Sequence, residues 1–247
     1  MDIFKKLETD THKIYKIFGI SFKIDKNYKN RDANSIWVVD KKGNKKKVKR
    51  IKGVKIRFLG TNANVIIHTP MINFKNSRIF CGNNAKVEIK SSNYKANQLK
   101  IYALADNTKV FIGSNFSCTE NCLIKMNKDT NLKVIIGNNC MFGSFIIIRT
   151  TDGHTIIDKD SKQILNSGKD IVIGNNVWLA RNIVVLKGVK IPDNCVVGTC
   201  SVVTKPLTEE NAIYAGSPAK KIKSNIEWFR SSIPLYEEAI ESGEVPV

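Results

Sequence analysis

Aliphatic residues recur every six positions along much of this chain. Residues 173–208 divide without a gap into IGNNVW, LARNIV, VLKGVK, IPDNCV, VGTCSV and VTKPLT. The first position of each hexad is aliphatic: Ile173, Leu179, Val185, Ile191, Val197 and Val203. The fifth is apolar or small: Val177, Ile183, Val189, Cys195, Ser201 and Leu207. A helix would repeat its apolar face near 3.6 residues and a simple strand near 2, so a strict period of six fits neither. A second run in one frame covers 112–153 and is less regular, with Thr130 at a first position and Lys128 at a fifth. Its apolar positions include Ile112, Cys118, Cys122, Ile136, Cys140, Phe142, Ile146 and Ile148.

An apolar-Gly-x-Asn signature echoes through the chain, at Gly60 with Asn62, Gly82 with Asn84, Gly113 with Asn115, Gly137 with Asn139 and Gly174 with Asn176. Gly and Asn tolerate the left-handed backbone of sharp corners. Short strands with a corner every six residues predict a triangular parallel solenoid. Three hexads make one coil, coils stack about 4.8 Å apart, and first and fifth positions fill the interior.

The two runs are out of register, because 148 and 173 are not separated by a multiple of six. Between them lies a polar excursion at about 150–171, RTTDGHTIIDKDSKQILNSGKD with its leading Arg149. Loops on rigid scaffolds concentrate function. This one carries His154, while His12 and His68 lie outside any motif.

The pattern divides the chain into a basic N-terminal cap (1–57), the solenoid with its inserted loop (58–208) and a C-terminal turn with helices (209–247). Ile3, Phe4, Leu7, Ile14 and Phe18 approximate a helical stripe, which either docks on the solenoid or lies on an anionic membrane surface. Ser224 to Glu227 has the form of a capping box and predicts one short helix. Pro234 to Ser242, stopped by Gly243, predicts another.

Four segments follow one another in order: IRTTDGHTIID, IGNNVWLARN, VVGTCSVVTK and AGSPAKKIK. With the hexads, they resemble the hexapeptide-repeat acyltransferases, which fold as a left-handed parallel β-helix. The series is most similar to the branch that O-acetylates sugars and bacterial surface polysaccharides, the capsular sialic acid O-acetyltransferases. Handedness comes from the resemblance alone, since general crossover rules favour the right hand.

The resemblance implies acetyl-CoA as donor, a sugar hydroxyl as acceptor and a homotrimer with sites between neighbouring solenoids; the transfer itself needs no metal. It makes His154 the catalytic base. The chemistry agrees, because a sugar hydroxyl is a poor nucleophile and an imidazole, titrating near 6.5, can take its proton during attack on the thioester. Trp178 falls at an outward sixth position and is placed by the resemblance in the donor and acceptor site. Ala180 stands where related enzymes often carry glycine, and Arg181 where a small residue is common. Thr199, Ser201, Lys205, Lys220 and Lys221 are expected along the CoA groove, with the lysines available to its phosphates. Arg149 and Asp152 are expected near the acceptor. Arg149 could pair with a sugar carboxylate, and Asp152 either orients the imidazole or stabilises a turn.

Composition adds bounds. The chain has 247 residues, 42% hydrophobic and 25% charged, as expected of a folded protein. No apolar stretch reaches the length of a membrane span. Charges interrupt every apolar run near Met1, so no signal peptide is read and a cytoplasmic location with reduced cysteines is expected. Cys118 and Cys122 have no second pair at zinc spacing, and the cysteines mostly occupy inward hexad positions, where they pack as small hydrophobes. The net charge of +18 attracts polyanions. Residues 1–57 alone hold 18 basic and 6 acidic side chains. This suits an anionic glycan or the inner face of a membrane. Abundant Lys, Ile and Asn are also what an AT-rich genome produces. No nucleic-acid-reading signature accompanies the charge. Alternatives to the O-acetyltransferase are a nucleotide-sugar N-acetyltransferase and a non-enzymatic β-solenoid that binds partners.

Overall fold

The computed structural model describes residues 33–244 and the backbone strands Phe4–Glu8, His12–Ile17 and Ile20–Asp25. Three parallel sheets form the walls of a three-sided solenoid. The first stacks Ser35–Val39, Asn64–His68, Lys86–Ile89, Lys109–Ile112, Lys133–Ile136, Ile171–Ile173 and Lys190–Ile191. The second runs from Asn73–Lys75 through Ser117–Glu120, Met141–Ser144, Trp178–Leu179 and Val196–Val197 to Ile213–Ala215. The third runs from Val54–Phe58 through Ser77–Cys81, Lys100–Ala103, Leu123–Met126, Ile147–Arg149 and Val184–Val185 to Val202–Val203. From Asn64–His68 to Val202–Val203, each coil visits them in the order first, second, third.

The hexad reading accounts for the interior. All six first positions and all six fifth positions of 173–208 are buried. So are the apolar positions picked out in 112–153, including Cys118, Cys122 and Cys140, which are free thiols. Burial pushes the thiols of Cys81 and Cys140 up to about 12, so they stay protonated at neutral pH.

Coil length is where the structure departs from the simple pattern. Ile173 pairs with Ile191, an 18-residue coil. Ile89, Ile112 and Ile136 are successive partners, so those coils take 23 and 24 residues. The frame survives from 112 to 136 because the extra residues there amount to one more hexad. That hexad, 127–132, leaves the wall at a corner, where Lys128 and Thr130 are exposed. The earlier coils lose the frame, and strands Ser35–Val39 and Val54–Phe58 join the stack ahead of residue 58.

Asparagine and glycine divide the corner work. Asn62, Asn84, Asn115, Asn139 and Asn176 all have positive φ. Their side chains link coils: Asn62 Nδ2 donates to Asn84 Oδ1 at 2.9 Å, Asn84 to Asn107 at 2.9 Å and Asn107 to Asn131 at 2.9 Å. Abundant asparagine therefore has a structural role beyond any codon bias. The glycines of the motif do not supply the left-handed turn. They allow coils to approach: a Cβ on Gly174 would lie 2.2 Å from Asp193 Oδ1, and one on Gly137 2.5 Å from Gly174 O.

Two end readings are corrected. The expected N-terminal helical stripe is instead an antiparallel three-stranded sheet of Phe4–Glu8, His12–Ile17 and Ile20–Asp25. Segments of five or six residues rich in Ile, Phe and Tyr, separated by two or three residues, suit hairpins better than one helix. Ile3 and Phe18 lie outside the described residues. The Ser224 box starts no helix. Asn225 has φ 55°, Ile226 N donates to Asn211 O at 2.9 Å, and Trp228 Nε1 donates to Asn176 O at 2.8 Å. Docking on the wall overrides the local signal. Arg230 secures this tail with Nη2 bonds to the carbonyls of Asn115, Asn139 and Cys140, its guanidinium 4.4 Å from the Tyr94 ring. The last helix forms as expected, Ile233–Ser242, with Gly243 at φ 73° closing it.

One polar cluster sits on the outer face of the first sheet. Glu88 accepts from Lys90 at 2.8 Å and from Lys86 at 3.1 Å, and lies 3.1 Å from His68 Nε2. Burial pushes its carboxyl pKa up, but the bonds from Lys90, Lys86 and His68 outweigh it and bring the pKa down to about 2. A depressed carboxylate stabilises the fold above its ordinary pKa, and that contribution is lost as pH falls toward 2. Glu88→Gln is therefore expected to lower Tm at pH 7, with the gap to wild type closing between about pH 4.5 and 2. A gap independent of pH would contradict this.

Candidate active site

The excursion leaves the third sheet after Ile147–Arg149 and returns at Ile171–Ile173. Its base is tied to the solenoid. Thr151 Oγ1 donates to Asn127 O at 3.0 Å, and Lys169 N donates to Thr150 O at 3.0 Å. Its outer part is a small hairpin, in which Ile157 bridges Ile164 and Asp158 N donates to Gln163 O. The Asp-Gly-His turn stands between base and hairpin. Gly153 has φ +87°, a conformation that strains any side-chain-bearing residue. Asn166 clamps the turn: its Nδ2 donates to His154 O at 2.7 Å and Asp152 Oδ2 at 3.0 Å, while its Oδ1 accepts from Ile156 N at 2.7 Å.

Asp152 does not hold the imidazole. Its carboxylate pairs with Lys187 Nζ from the next coil, and Lys187 also donates to Asn166 O at 3.2 Å. Lys187 first, then Asn166, hold Asp152 below the usual carboxylate range. Of the two roles read for Asp152, the local structural one is observed. His154 is exposed, and among the described residues its imidazole receives no hydrogen bond.

A cleft of about 610 Å³ lies beside this turn, lined by Asp152, His154, Thr155 and Asn166 on one side and Lys128 and Thr130 on the other. The opposite lip is thus the extra hexad of the 24-residue coil. Asp129 from that hexad accepts from Gly168 N, joining the lip to the return limb. Lys128, Asn166 and Lys187 were missed in the sequence. Lys128 and Thr130 did carry a signal, as the two positions that broke the hexad rule.

The other residues expected at the site are scattered around the prism. Arg149 stands at the root of the excursion, with Nη2 3.4 Å from Asp152 O and an Nε that is buried without a partner among the described residues. Trp178 is on the second sheet, half-buried, with its ring 5.8 Å from that of Trp228. Ala180 follows it, and Arg181 lies 5.3 Å over the Phe145 ring. Thr199 is exposed between the second and third sheets, and Lys205 and Lys220 are exposed near the end of the solenoid. Lys221 pairs with Glu209.

Ser201 is corrected. It is fully buried, donates to Gly198 O at 2.6 Å and accepts from Gly216 N at 3.0 Å. Its hydroxyl holds a corner together and has no face toward a ligand. Within one chain, therefore, His154, Asp152 and Arg149 gather on one edge, while Trp178, Ala180 and Thr199 lie on the second sheet or the corner that follows it.

Residues 170–205 match the family described as bacterial transferase hexapeptide (six repeats). The polysialic acid O-acetyltransferase of Neisseria meningitidis is 37% identical over 166 residues, covering 63% of this chain and 76% of the relative. That of Escherichia coli O1:K1 / APEC is 41% identical over 98 residues, 40% of this chain and 32% of the relative, so the chain spans about a third of that longer protein. The crystal structure of the polySia specific acetyltransferase NeuO superposes with a TM-score of 0.68 at 30% identity, over 81% of this chain and 80% of that one. The solenoid has the left-handed coil of that architecture. The chain belongs to the hexapeptide-repeat acyltransferase family.

Proposed function

We propose that this protein is an O-acetyltransferase that moves the acetyl group of acetyl-CoA directly to a hydroxyl of an anionic surface glycan, polysialic acid first among them. His154 acts as general base. The observation that carries the reading is the placement of the His154 imidazole, free of described partners, in a cleft between the excursion and the 127–132 corner of the solenoid to which the excursion's base is tied. The names of the meningococcal and E. coli relatives support this acceptor class.

In this reading the imidazole takes the acceptor proton as the hydroxyl oxygen attacks the thioester carbonyl. The carbon–sulfur bond then breaks, and the imidazolium returns its proton to the leaving thiolate. The products are an acetyl ester and free CoA, with no redox change. The Asn166 clamp and the Lys187–Asp152 pair keep the turn in place without engaging the ring. Trp178, Ala180 and Thr199, with Lys205 and Lys220, take the donor.

In this reading the donor residues and His154 form one site between two copies of a homotrimer, a reading supported by their lying on different parts of the prism within one chain. Two apolar features without a partner among the described residues fit such contacts. Leu123, Ile147, Val184 and Val202 form a row along the outside of the third sheet. Ile156, Ile157, Ile164 and Leu165 are about half exposed or more on the excursion. Light scattering at three times the chain mass is the expected result. Among the described residues no helix is long and apolar enough to cross a membrane. A cytoplasmic site of action, with the basic N-terminus toward the inner membrane face, suits a glycan modified before export.

An acceptor panel tests the activity. CoA release is expected with polysialic acid and not with neutral oligosaccharides. Release with amino-sugar nucleotides alone would make the protein an N-acetyltransferase instead.

A further inference from the structure

The outer face of the third sheet carries two rows of side chains set by strand register. One row runs Lys55, Arg78, Lys100, then turns apolar at Leu123 and Ile147. The other runs Arg57, Phe80, Tyr102, Lys125, Arg149. At about 4.8 Å per coil, the second row extends for roughly 19 Å. It ends at the root of the loop that bears His154.

The chemistry of these rows is unbalanced. On the first sheet, Lys86 and Lys90 are neutralised by Glu88, and Lys133 by Asp170. On the third sheet, none of Lys55, Arg57, Arg78, Lys100, Lys125 or Arg149 pairs with a carboxylate among the described residues. Lys125 and Arg149 are direct neighbours of like charge. Burial, and then Arg149, lower the pKa of the Lys125 ammonium. An anion between the two would relieve both effects. Between the cations, the Phe80 and Tyr102 rings stack at 5.2 Å and 18°, and Arg57 lies 5.9 Å from the Phe80 ring centroid. A flat aromatic platform flanked by unpaired cations suits a chain of sugars that alternate C–H-rich faces with carboxylates.

We propose that this face is a track for an extended polyanionic glycan, held from Arg57 across Phe80 and Tyr102 to Lys125 and Arg149, which presents one of its units to His154. This rests on the acceptor class proposed above and extends it: the preferred acceptor is a polymer of acidic sugars, with several units bound away from the reacting one.

The test compares the full-length wild type with Arg57→Ser/Arg78→Ser/Lys100→Ser, and with Lys86→Ser/Lys109→Ser on the first sheet as a charge control. Acceptors are monomeric sialic acid and polysialic acid fractions of increasing length. For wild type, kcat/KM is expected to rise with acceptor length. In the triple variant that advantage should shrink by about tenfold or more, mainly through KM, and its salt dependence should weaken. The control should keep the advantage. An unchanged length dependence in the triple variant overturns the track. So does a change in its oligomeric state, which would extend the subunit contact proposed along Leu123 and Ile147 over the basic part of this face.

Direct titration of polysialic acid into the protein without acetyl-CoA separates this proposal from the activity. Binding that the triple variant loses supports the track even if no acceptor is acetylated. Tyr102→Ser distinguishes a glycan from any polyanion: it should weaken polysialic acid and spare polyglutamate. Equal loss of both would overturn the glycan assignment.

Discussion

His154→Ala is expected to lower acetyl transfer by about 10³-fold while leaving the fold intact. General-base assistance of this kind contributes roughly 10² to 10⁴-fold, and no other described group beside the cleft offers an unengaged imidazole. Asp152 is committed to Lys187 and Asn166, and Asp129 to Gly168 N. Neither is placed to substitute. Because His154 is exposed and the turn is held through its backbone carbonyl by Asn166, the variant should melt with wild type. Steady-state rates with polysialic acid and a thermal melt check both halves. A loss below about tenfold would remove His154 from the chemistry, and a large fall in Tm would assign it to the fold instead.

The second large effect is on stability. Phe116 and Phe142 meet edge to face inside the solenoid, with ring centroids 5.0 Å apart and an interplanar angle of 82°. Both are buried to within 1%. Phe142 is the register partner of Cys118 below and Leu179 above, so its ring fills the core next to the coil that carries Trp178. Phe142→Ala removes the ring and leaves a cavity that rigid stacked coils cannot close. A loss of about 3–5 kcal/mol is expected, read as a lower denaturant midpoint at fixed protein concentration. A loss below about 1 kcal/mol would mean that the coils relax around the gap.

The sequence and the structure agree most closely where coils are shortest. From Ile173 to Leu207 every first and fifth position is buried as a strict hexad asks, and one strand-corner unit follows another without insertion. Earlier coils carry extra residues at their corners, so first positions drift out of frame even though Val87, Val110 and Val134 still stack in one interior row. Period analysis sees the frame and not the stack. The asparagine ladder was hidden for a related reason: its members are 22 to 24 residues apart, a spacing set by coil length and not by the hexad.

The site was legible in part. The Asp-Gly-His turn stood out because it interrupted a repeat, and the structure gives it a cleft. The contacts that hold it come from distant positions, Asn166 across the excursion and Lys187 on the next coil. Only folding brings these together. Ser201 misled because a small polar residue at an inward position looks the same in sequence as one facing a ligand. Its neighbours Gly198 and Gly216 decide the matter. Trp178 was read correctly as outward, but its contact with Trp228 depends on a tail whose capping-box signal pointed to a helix.

Identification of the product tests the central claim most directly. Wild type and His154→Ala would each be incubated with acetyl-CoA labelled with ¹³C in the acetyl group and with polysialic acid, and the polymer examined by NMR before and after mild alkali. Wild type is expected to place label on a sugar hydroxyl as a base-labile ester, with far less in the variant over the same time. A base-stable amide, equal labelling by both proteins, or no label on the polymer would contradict hydroxyl-directed transfer through His154.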